Sequence, residues 1–213
     1  MWQFNTVDYT VWGLPPYIFF AGTGIMFALS LYPILLLKSA CKVETYMPCL
    51  LMALPSILVG SKLLGMLVSI CNAIQSGEQI NKETFLQSGI VYYGGLLAVI
   101  ASFELICKKR EEVYSREARD ALAVVIPLFH IWGRIGCFTS GCCYGIEMKS
   151  PISVLYTINK SAGLFTNERI PVQLLEAVIE FIIFLLLLGM YLKGNKKTKL
   201  TYIYLLMYTF TMA

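Results

Sequence analysis

The residues best suited to chemistry lie close together, between His130 and Gly145, in the sequence HIWGRIGCFTSGCCYG. This stretch holds the only histidine of the chain, an arginine preceded by glycine, and three of the seven cysteines. An imidazole can carry protons near neutral pH, a thiolate is a nucleophile, and a guanidinium binds phosphate through paired N–H groups. The stretch ends an apolar run long enough to cross a membrane, where a permanent charge is costly, so we expect Arg134 to have a function.

Helical spacing places three of these side chains on one face. His130, Arg134 and Cys137 stand at positions i, i+4 and i+7, which form one stripe along a helix. Gly133 and Gly136 make the opposite side thin enough for a neighbouring helix or a lipid head group to approach. The pattern predicts a polar stripe on a membrane helix.

The glycines that follow predict a tight loop at the end of this helix. Gly141 and Gly145 favour such a turn, and irregular backbone at membrane depth is tolerated where it lines a cavity. A fixed cation at the edge of that cavity suits a phosphate group. We therefore expect an anion-binding site around Arg134.

The composition indicates an integral membrane protein. The chain of 213 residues is 57% hydrophobic and only 14% charged, whereas about a quarter of a soluble domain is charged. We expect an all-α bundle of about six to seven transmembrane helices, folded as a single transmembrane domain over residues 1–213. The last candidate span is too short for a full crossing, so we expect it to be incomplete. The candidate spans are Pro16–Leu37, Met47–Cys71, Gly89–Cys107, Ala121–Cys137, Pro171–Leu192 and Leu200–Met212.

The distribution of lysine and arginine predicts the orientation. With the amino terminus outside, the inner loops hold eleven of these residues and the outer loops hold four, as the positive-inside rule requires. The first residues lack a basic segment ahead of an apolar one, so we expect no cleavable signal peptide. The net charge of +4 then reflects topology, and the basic loops are expected to meet anionic lipid and not nucleic acid.

In this orientation the polar residues of the spans gather toward the outer side, which predicts an outward-facing polar cavity. Lys62 alone lies mid-span. The outer connection Tyr144–Ile170 is long enough to form a small cap or a mobile lid over the cavity. The residues that share the outer half are Tyr92, Tyr93, Gly94, Gly95, Arg134, Gln173 and Glu176.

The cysteines do not follow a metal-binding pattern. Seven is an odd number, no CxxC is present, and no Cys/His set has zinc spacing, so we expect no metal site. Small apolar packing is the expected role of the cysteines in or beside the spans, Cys41, Cys49, Cys71 and Cys107.

Four segments resemble one protein family. GRIGCFTSGCCYG at 133–145 resembles the signature GRxGNFxNxExxG of bacterial prolipoprotein diacylglyceryl transferase. In the family's order, GSKLLGML at 60–67 resembles its GxRLxYxL segment, and YYGGLL at 92–97 resembles its HGGLxG segment. RIPVQLLEAVIEF at 169–181 resembles its RxPxQLYEAxxE segment. The four ordered matches cover most of the chain.

This resemblance implies a membrane transferase. Enzymes of the family move a diacylglyceryl group from phosphatidylglycerol to the lipobox cysteine thiol in the signal peptide of a prolipoprotein, and release glycerol phosphate. They act at the outer face of the bacterial cytoplasmic membrane without a metal or other cofactor. The expected partners are therefore phosphatidylglycerol, a prolipoprotein signal peptide and membrane lipid.

The resemblance also assigns site residues. It implies that Arg134 binds the phosphate, that Lys62 stands where an arginine is common, and that Glu176 belongs to the catalytic set. The positions expected to bind substrate are Lys62, Gly94, Gly95, Gly133, Gly136, Cys137, Ser140, Gly145, Arg169 and Gln173.

Several positions depart from the family pattern. The family's functional histidine before the glycine pair is Tyr93 here, its two signature asparagines are Cys137 and Ser140, and its signature glutamate is Cys142. An arginine and a glutamate of the family's last span have no counterpart within these 213 residues. The base that makes the substrate thiolate is then either His130 or Tyr93.

Other interpretations stay open from the sequence. Cys137 with His130 could form a nucleophilic pair for acyl or alkyl transfer to a different acceptor. Cys137 and Cys142 could instead form a disulfide on the oxidising side of the membrane. A non-catalytic scaffold that binds lipid or lipoprotein is a third alternative.

Overall fold

The computed structural model describes residues 2–5, 10–38, 42–77, 81–82, 91–108, 112–160, 163–194 and 200–212. Helices dominate, and a small sheet accompanies them. The main helices within these ranges are α1 Pro16–Lys38, α2 Val43–Ser76, α3 Tyr92–Cys107, α4 Glu112–Thr139, α5 Val172–Leu192 and α6 Leu200–Met212. The strands are β1 Trp2–Asn5, β2 Val154–Lys160 and β3 Gly163–Arg169.

Four of the described helices, α1, α2, α4 and α5, are long and apolar enough to cross a membrane. Helices α3 and α6 are shorter apolar helices. The prediction of a mostly helical protein with several membrane spans is therefore confirmed, while the count of six to seven crossings stays a prediction. The six helices coincide closely with the six apolar segments expected from the sequence.

Helix α5 shows how these helices divide their surface. One face is buried, and two of its five buried side chains are polar. The other face exposes large apolar side chains such as Phe181, Ile182 and Leu186. An apolar exterior with polar groups turned inward is typical of a helix surrounded by lipid. The buried side chains are Gln173, Ala177, Glu180, Ile183 and Leu187.

The chain forms two compact units, each described by itself. The first unit combines Met1–Leu35 with Asp120–Ala213, and the second is the continuous stretch Leu36–Arg119. The single domain expected over residues 1–213 stays a prediction.

Close contact between α2 and α3 organises the second unit. A Cβ added at Gly60 would overlap the carbonyl oxygen of Gly94, and one added at Gly94 would overlap that of Gly60. Gly95 meets the side chain of Ser61 in the same way. Small residues let membrane helices approach until their backbones touch. In this unit the glycine pair therefore has a packing role.

The first unit is held by a different set of contacts. Trp132 of α4 stacks on Phe27 of α1 with ring centroids 5.3 Å apart, and Gly136 faces α1 closely. Asp120 accepts a hydrogen bond of 2.9 Å from the backbone N–H of Leu200, which satisfies a free donor at the start of α6. These contacts hold the part of α4 from Asp120 onward against α1 and α6.

The expectation from sequence was incomplete for the connection between α4 and α5. Residues 144–170 contain β2 and β3, which pair antiparallel from Val154 opposite Arg169 to Lys160 opposite Gly163, and β1 joins β2 in parallel. The segment VLYTINK is rich in β-branched and aromatic residues, which favour strands. An all-α description is thus correct for the membrane part but omits this sheet.

We predict that Gly94→Ala destabilises the protein. The added methyl group would push against the backbone of α2, and such overpacking costs about 1–3 kcal/mol. Gly189→Ala in α5 is the matched control, because a Cβ there meets nothing within 4 Å. Thermal unfolding in detergent, followed by circular dichroism, should show a lower Tm for Gly94→Ala and no decrease for Gly189→Ala. Equal Tm values for the two variants would contradict the packing role of Gly94.

Candidate active site

Helices α4 and α5 bring four ionisable side chains into one continuous row, called here the charged ladder: Glu176, Arg134, His130 and Glu180. Arg134 forms an ion pair with Glu176 through Nε and Oε2. The same Nε–H group donates a hydrogen bond of 3.1 Å to Nε2 of His130. The predicted stripe on α4 is thus present and faces α5.

The far end of the ladder is fully enclosed. His130 Nδ1 lies 3.3 Å from Oε1 of Glu180, and these two side chains are 5% and 1% exposed. The ring of Tyr208 covers the imidazole edge-on, with centroids 5.4 Å apart. Because Nε2 accepts a hydrogen bond from Arg134, the proton of a neutral imidazole lies on Nδ1, toward Glu180.

The near end of the ladder is more open. The side chains of Arg134 and Glu176 are each 19% exposed, so a ligand can reach the guanidinium without displacing the deeper pair. Each helix contributes groups one turn apart, since 130 and 134 on α4, and 176 and 180 on α5, are spaced by four. The arrangement can bind an anion at its open end and hold a proton at its closed end.

A buried amide anchors the structure outside the ladder. Gln173, fully buried at the start of α5, donates a hydrogen bond of 2.6 Å from Nε2 to the backbone oxygen of Cys142. Its Oε1 accepts one of 3.4 Å from the hydroxyl of Tyr156 on β2. Burial raises the pKa of Tyr156 to about 12, so this hydroxyl stays protonated and remains a donor. Gln173 therefore ties the sheet and the loop after α4 to α5.

Arg169 has a structural position. Its guanidinium lies 4.6 Å over the ring of Tyr144 and donates a hydrogen bond of 3.2 Å to the backbone oxygen of Gly145. A Cβ at Gly145 would press against Val172, which explains a glycine there. Of the two glycines expected to shape the turn after α4, only Gly141 (φ 63°) has positive φ, so Gly145 serves close packing instead.

Three cysteines meet where α4 ends. The sulfur atoms of Cys137, Cys142 and Cys143 all lie within 4.8 Å of one another. Hydrogen bonds from the thiols of Cys137 and Cys142 lower the pKa of Cys143, and the nearby Arg134 guanidinium adds to this effect. The cysteines at the family's asparagine and glutamate positions thus contact one another.

Other predicted positions of the first unit have separate surroundings. Gly136 faces Tyr17 and Phe20 of α1, whereas a Cβ at Gly133 would meet nothing within 4 Å. The hydroxyl oxygen of Ser140 is buried and has no hydrogen-bond partner among the described residues. Their roles in substrate binding stay predictions.

The remaining predicted residues belong to the second unit. Gly94 and Gly95 are buried against α2, Tyr93 is exposed at the start of α3, and Lys62 is half-buried on α2. The ring of Tyr93 contacts that of Tyr92, with centroids 6.1 Å apart. The role of Tyr93 as the base therefore stays a prediction.

Sequence reasoning missed Glu180 as a site residue. Two signals pointed to it: it is an acid in the middle of an apolar helix, and it is the last glutamate of the segment RIPVQLLEAVIEF. Its partner could not be deduced, because only the packing of α5 on α4 shows that Glu180 faces His130.

Comparison with known proteins agrees with the resemblance in the sequence. Residues 11–211 match the family described as prolipoprotein diacylglyceryl transferase. A phosphatidylglycerol–prolipoprotein diacylglyceryl transferase of Clostridium tetani is 33% identical over 154 residues, which are 71% of this chain and 59% of that protein.

Two further relatives have the same name, one of them with the suffix 2. The Clostridium perfringens protein, number 2, is 26% identical over 71% of this chain and 58% of its own length. The Dehalococcoides mccartyi protein is 28% identical over 66% of this chain and 52% of its own length. The chain therefore spans between half and three-fifths of these three relatives.

We predict that Gln173→Leu destabilises the protein more than Tyr156→Phe does. The leucine leaves the buried Tyr156 hydroxyl and the part-buried Cys142 carbonyl without a partner, at up to about 1–3 kcal/mol for each group. Tyr156→Phe removes only the longer hydrogen bond and leaves one group, Oε1 of Gln173, without a partner, so it should cost about 1–3 kcal/mol, less than the two groups left by Gln173→Leu. Thermal unfolding of both variants in detergent measures the difference. A smaller loss for Gln173→Leu would mean that the amide is not the anchor.

Proposed function

This chain belongs to the prolipoprotein diacylglyceryl transferase family, and we propose that it moves a diacylglyceryl group from phosphatidylglycerol to a cysteine thiol. The acceptor is the lipobox cysteine in a prolipoprotein signal peptide, and the second product is glycerol phosphate. The sulfur forms a bond to the glyceryl carbon while the bond from that carbon to the phosphate oxygen breaks. The observation that carries the proposal is the charged ladder, with its accessible guanidinium and enclosed imidazole.

Arg134 is the proposed phosphate ligand. A guanidinium holds a phosphate through paired hydrogen bonds and stabilises the negative charge of the leaving group as the C–O bond breaks. Its ion pair with Glu176 keeps the cation oriented before substrate arrives. The 19% exposure of Arg134 leaves room for a lipid phosphate at the open end of the ladder.

His130 is the proposed base. The acceptor must react as a thiolate, so a group near the phosphate has to take the thiol proton. Oε1 of Glu180, 3.3 Å from Nδ1, favours a proton on that nitrogen and leaves the lone pair on Nε2, which accepts the hydrogen bond from Arg134 in this structure. When Arg134 turns to the phosphate, Nε2 becomes available for the proton. Phosphate binding and activation of the base are thereby linked.

The same contacts favour this role for His130 over a nucleophilic pair with Cys137. The described contacts group His130 with Glu180 and Arg134, and group Cys137 with Cys142 and Cys143. A cysteine nucleophile would instead require the imidazole of His130 to accept the thiol proton of Cys137.

The proposal includes a location and a topology. The enzyme lies in the bacterial cytoplasmic membrane with its amino terminus and active site facing outward and with six to seven crossings. The excess of basic residues in the inner loops supports this orientation. The sheet of β1, β2 and β3 then lies on the outer side, beside the open end of the ladder.

We predict that Arg134→Ala lowers kcat by about 10²–10³-fold, the typical cost of losing one group that stabilises a developing anion. Full-length protein in proteoliposomes is supplied with labelled phosphatidylglycerol and a lipobox peptide, and glycerol phosphate release and peptide mass are followed. Arg119→Ala is the matched control, because it removes an arginine that pairs with a glutamate, Glu104, outside the ladder. Equal activity in Arg134→Ala and Arg119→Ala would refute the proposal.

A second variant tests the imidazole. We predict that Glu180→Gln lowers kcat by about 10²-fold, within the range for general base catalysis, and leaves KM for phosphatidylglycerol unchanged. The amide keeps the size of the side chain but no longer fixes the proton on Nδ1 of His130. A rise in KM without a fall in kcat would assign Glu180 to lipid binding instead.

A further inference from the structure

The proposed transfer through the charged ladder does not use the three sulfur atoms of Cys137, Cys142 and Cys143, called here the thiol cluster, and the expected role of Cys137 in substrate binding stays a prediction. They lie within 4.8 Å of one another, although four residues separate the first cysteine from the second. Each sulfur comes from a side chain that is half-buried or exposed, so the cluster is reachable from outside the protein. The cluster therefore requires its own explanation.

The backbone at the end of α4 builds this cluster. The N–H of Cys142 donates to the carbonyl of Cys137 at 3.1 Å, and the N–H of Gly141 donates to that of Phe138 at 3.0 Å. With Gly141 at φ 63°, these two bonds form a Schellman motif, which returns the chain over the last helical turn. The motif commonly brings two apolar side chains together, and here those two positions hold the thiols of Cys137 and Cys142.

The third sulfur is positioned by strained backbone. Cys143 has φ 57°, a left-handed conformation that costs a residue with a side chain roughly 1–2 kcal/mol. Such conformations persist where the surrounding structure imposes them, often at functional sites. Here the buried Gln173 holds the carbonyl of the preceding Cys142 through a bond of 2.6 Å. The loop is thus fixed before any ligand arrives.

We propose that the thiol cluster binds one soft, thiophilic cation, Cu(I), through its three sulfur atoms. A metal–sulfur bond of about 2.3 Å requires only short side-chain rotations from the observed spacing. Thiolates suit soft ions such as Cu(I) and zinc, but structural zinc sites take four protein ligands, whereas the cluster offers three among the described residues. The positive charge of Arg134, which acts on both loop thiols, offsets part of the negative charge of the three thiolates.

This inference departs from the expectation of no metal site. That expectation rested on the missing CxxC spacing, which is the usual sign of a metal site in a sequence. Here the Schellman motif brings the cysteine sulfur atoms together although the cysteines are spaced as C-x4-C-C. The proposal is independent of the transferase reaction, so its test uses binding and not turnover.

The experiment titrates anaerobically purified, reduced full-length protein with Cu(I) against the competing chelator bathocuproine disulfonate. We expect one copper per chain to resist the chelator. Cys137→Ser, Cys142→Ser and Cys143→Ser should each abolish this binding. Cys71→Ser is the matched control, since Cys71 is an exposed cysteine on α2 outside the cluster, and it should bind copper like the native chain.

A second measurement uses only the native chain, so it still tests the proposal if a serine variant fails to fold. Cu(I) should protect the three clustered cysteines, but not Cys71, from alkylation by N-ethylmaleimide, as mapped by mass spectrometry. A native chain that takes up no chelator-resistant copper would overturn the proposal. So would unchanged binding in Cys142→Ser, or a disulfide between two clustered cysteines in protein alkylated directly in intact cells.

Discussion

The polar contacts of the charged ladder between α4 and α5 impose the strongest constraint on this protein. Glu176, Arg134, His130 and Glu180 are charged or polar groups inside a largely apolar molecule, and removing one partner from such a buried pair typically costs about 3–5 kcal/mol. Because each helix carries its two groups one turn apart, sliding one helix by a turn would leave groups unpaired. The ladder therefore fixes the register of the two helices as well as supplying a phosphate ligand and a base.

The register of α5 against α4 also fixes the loop and the sheet that pack at the start of α5. Gln173 lies less than one turn from Glu176, so fixing the ladder also fixes the amide that holds Cys142 and Tyr156. Strand β3 runs into α5 through Arg169, whose guanidinium secures the backbone at Gly145. The sheet and the cysteine loop thus depend on the same helix pair that would perform the chemistry.

Much of this could be predicted from sequence, because membrane helices are encoded by local apolar composition. Spacing along one helix also predicted that His130 and Arg134 lie on the same face of α4. The features that the sequence did not predict depend on residues that are distant from one another in the chain or on the geometry of a turn. The pairing of Glu180 with His130 requires the packing of two helices, and the hairpin over 154–169 requires two short strands to pair within a polar connection. The meeting of Cys137 with Cys142 follows from a helix-capping turn that cysteine spacing does not reveal.

The division into two units has a consequence for biosynthesis. The first unit needs both Met1–Leu35 and Asp120–Ala213, but the ribosome completes Leu36–Arg119 between them. At about 5–20 residues per second, α1 enters the membrane on the order of 10 s before its partners exist, while the second unit can already assemble. Helix α1 carries no charged side chain before Lys38 and has a largely apolar surface, so lipid alone can accommodate it during this interval. The charged helix α4 is made after α1 and can be inserted next to a waiting partner.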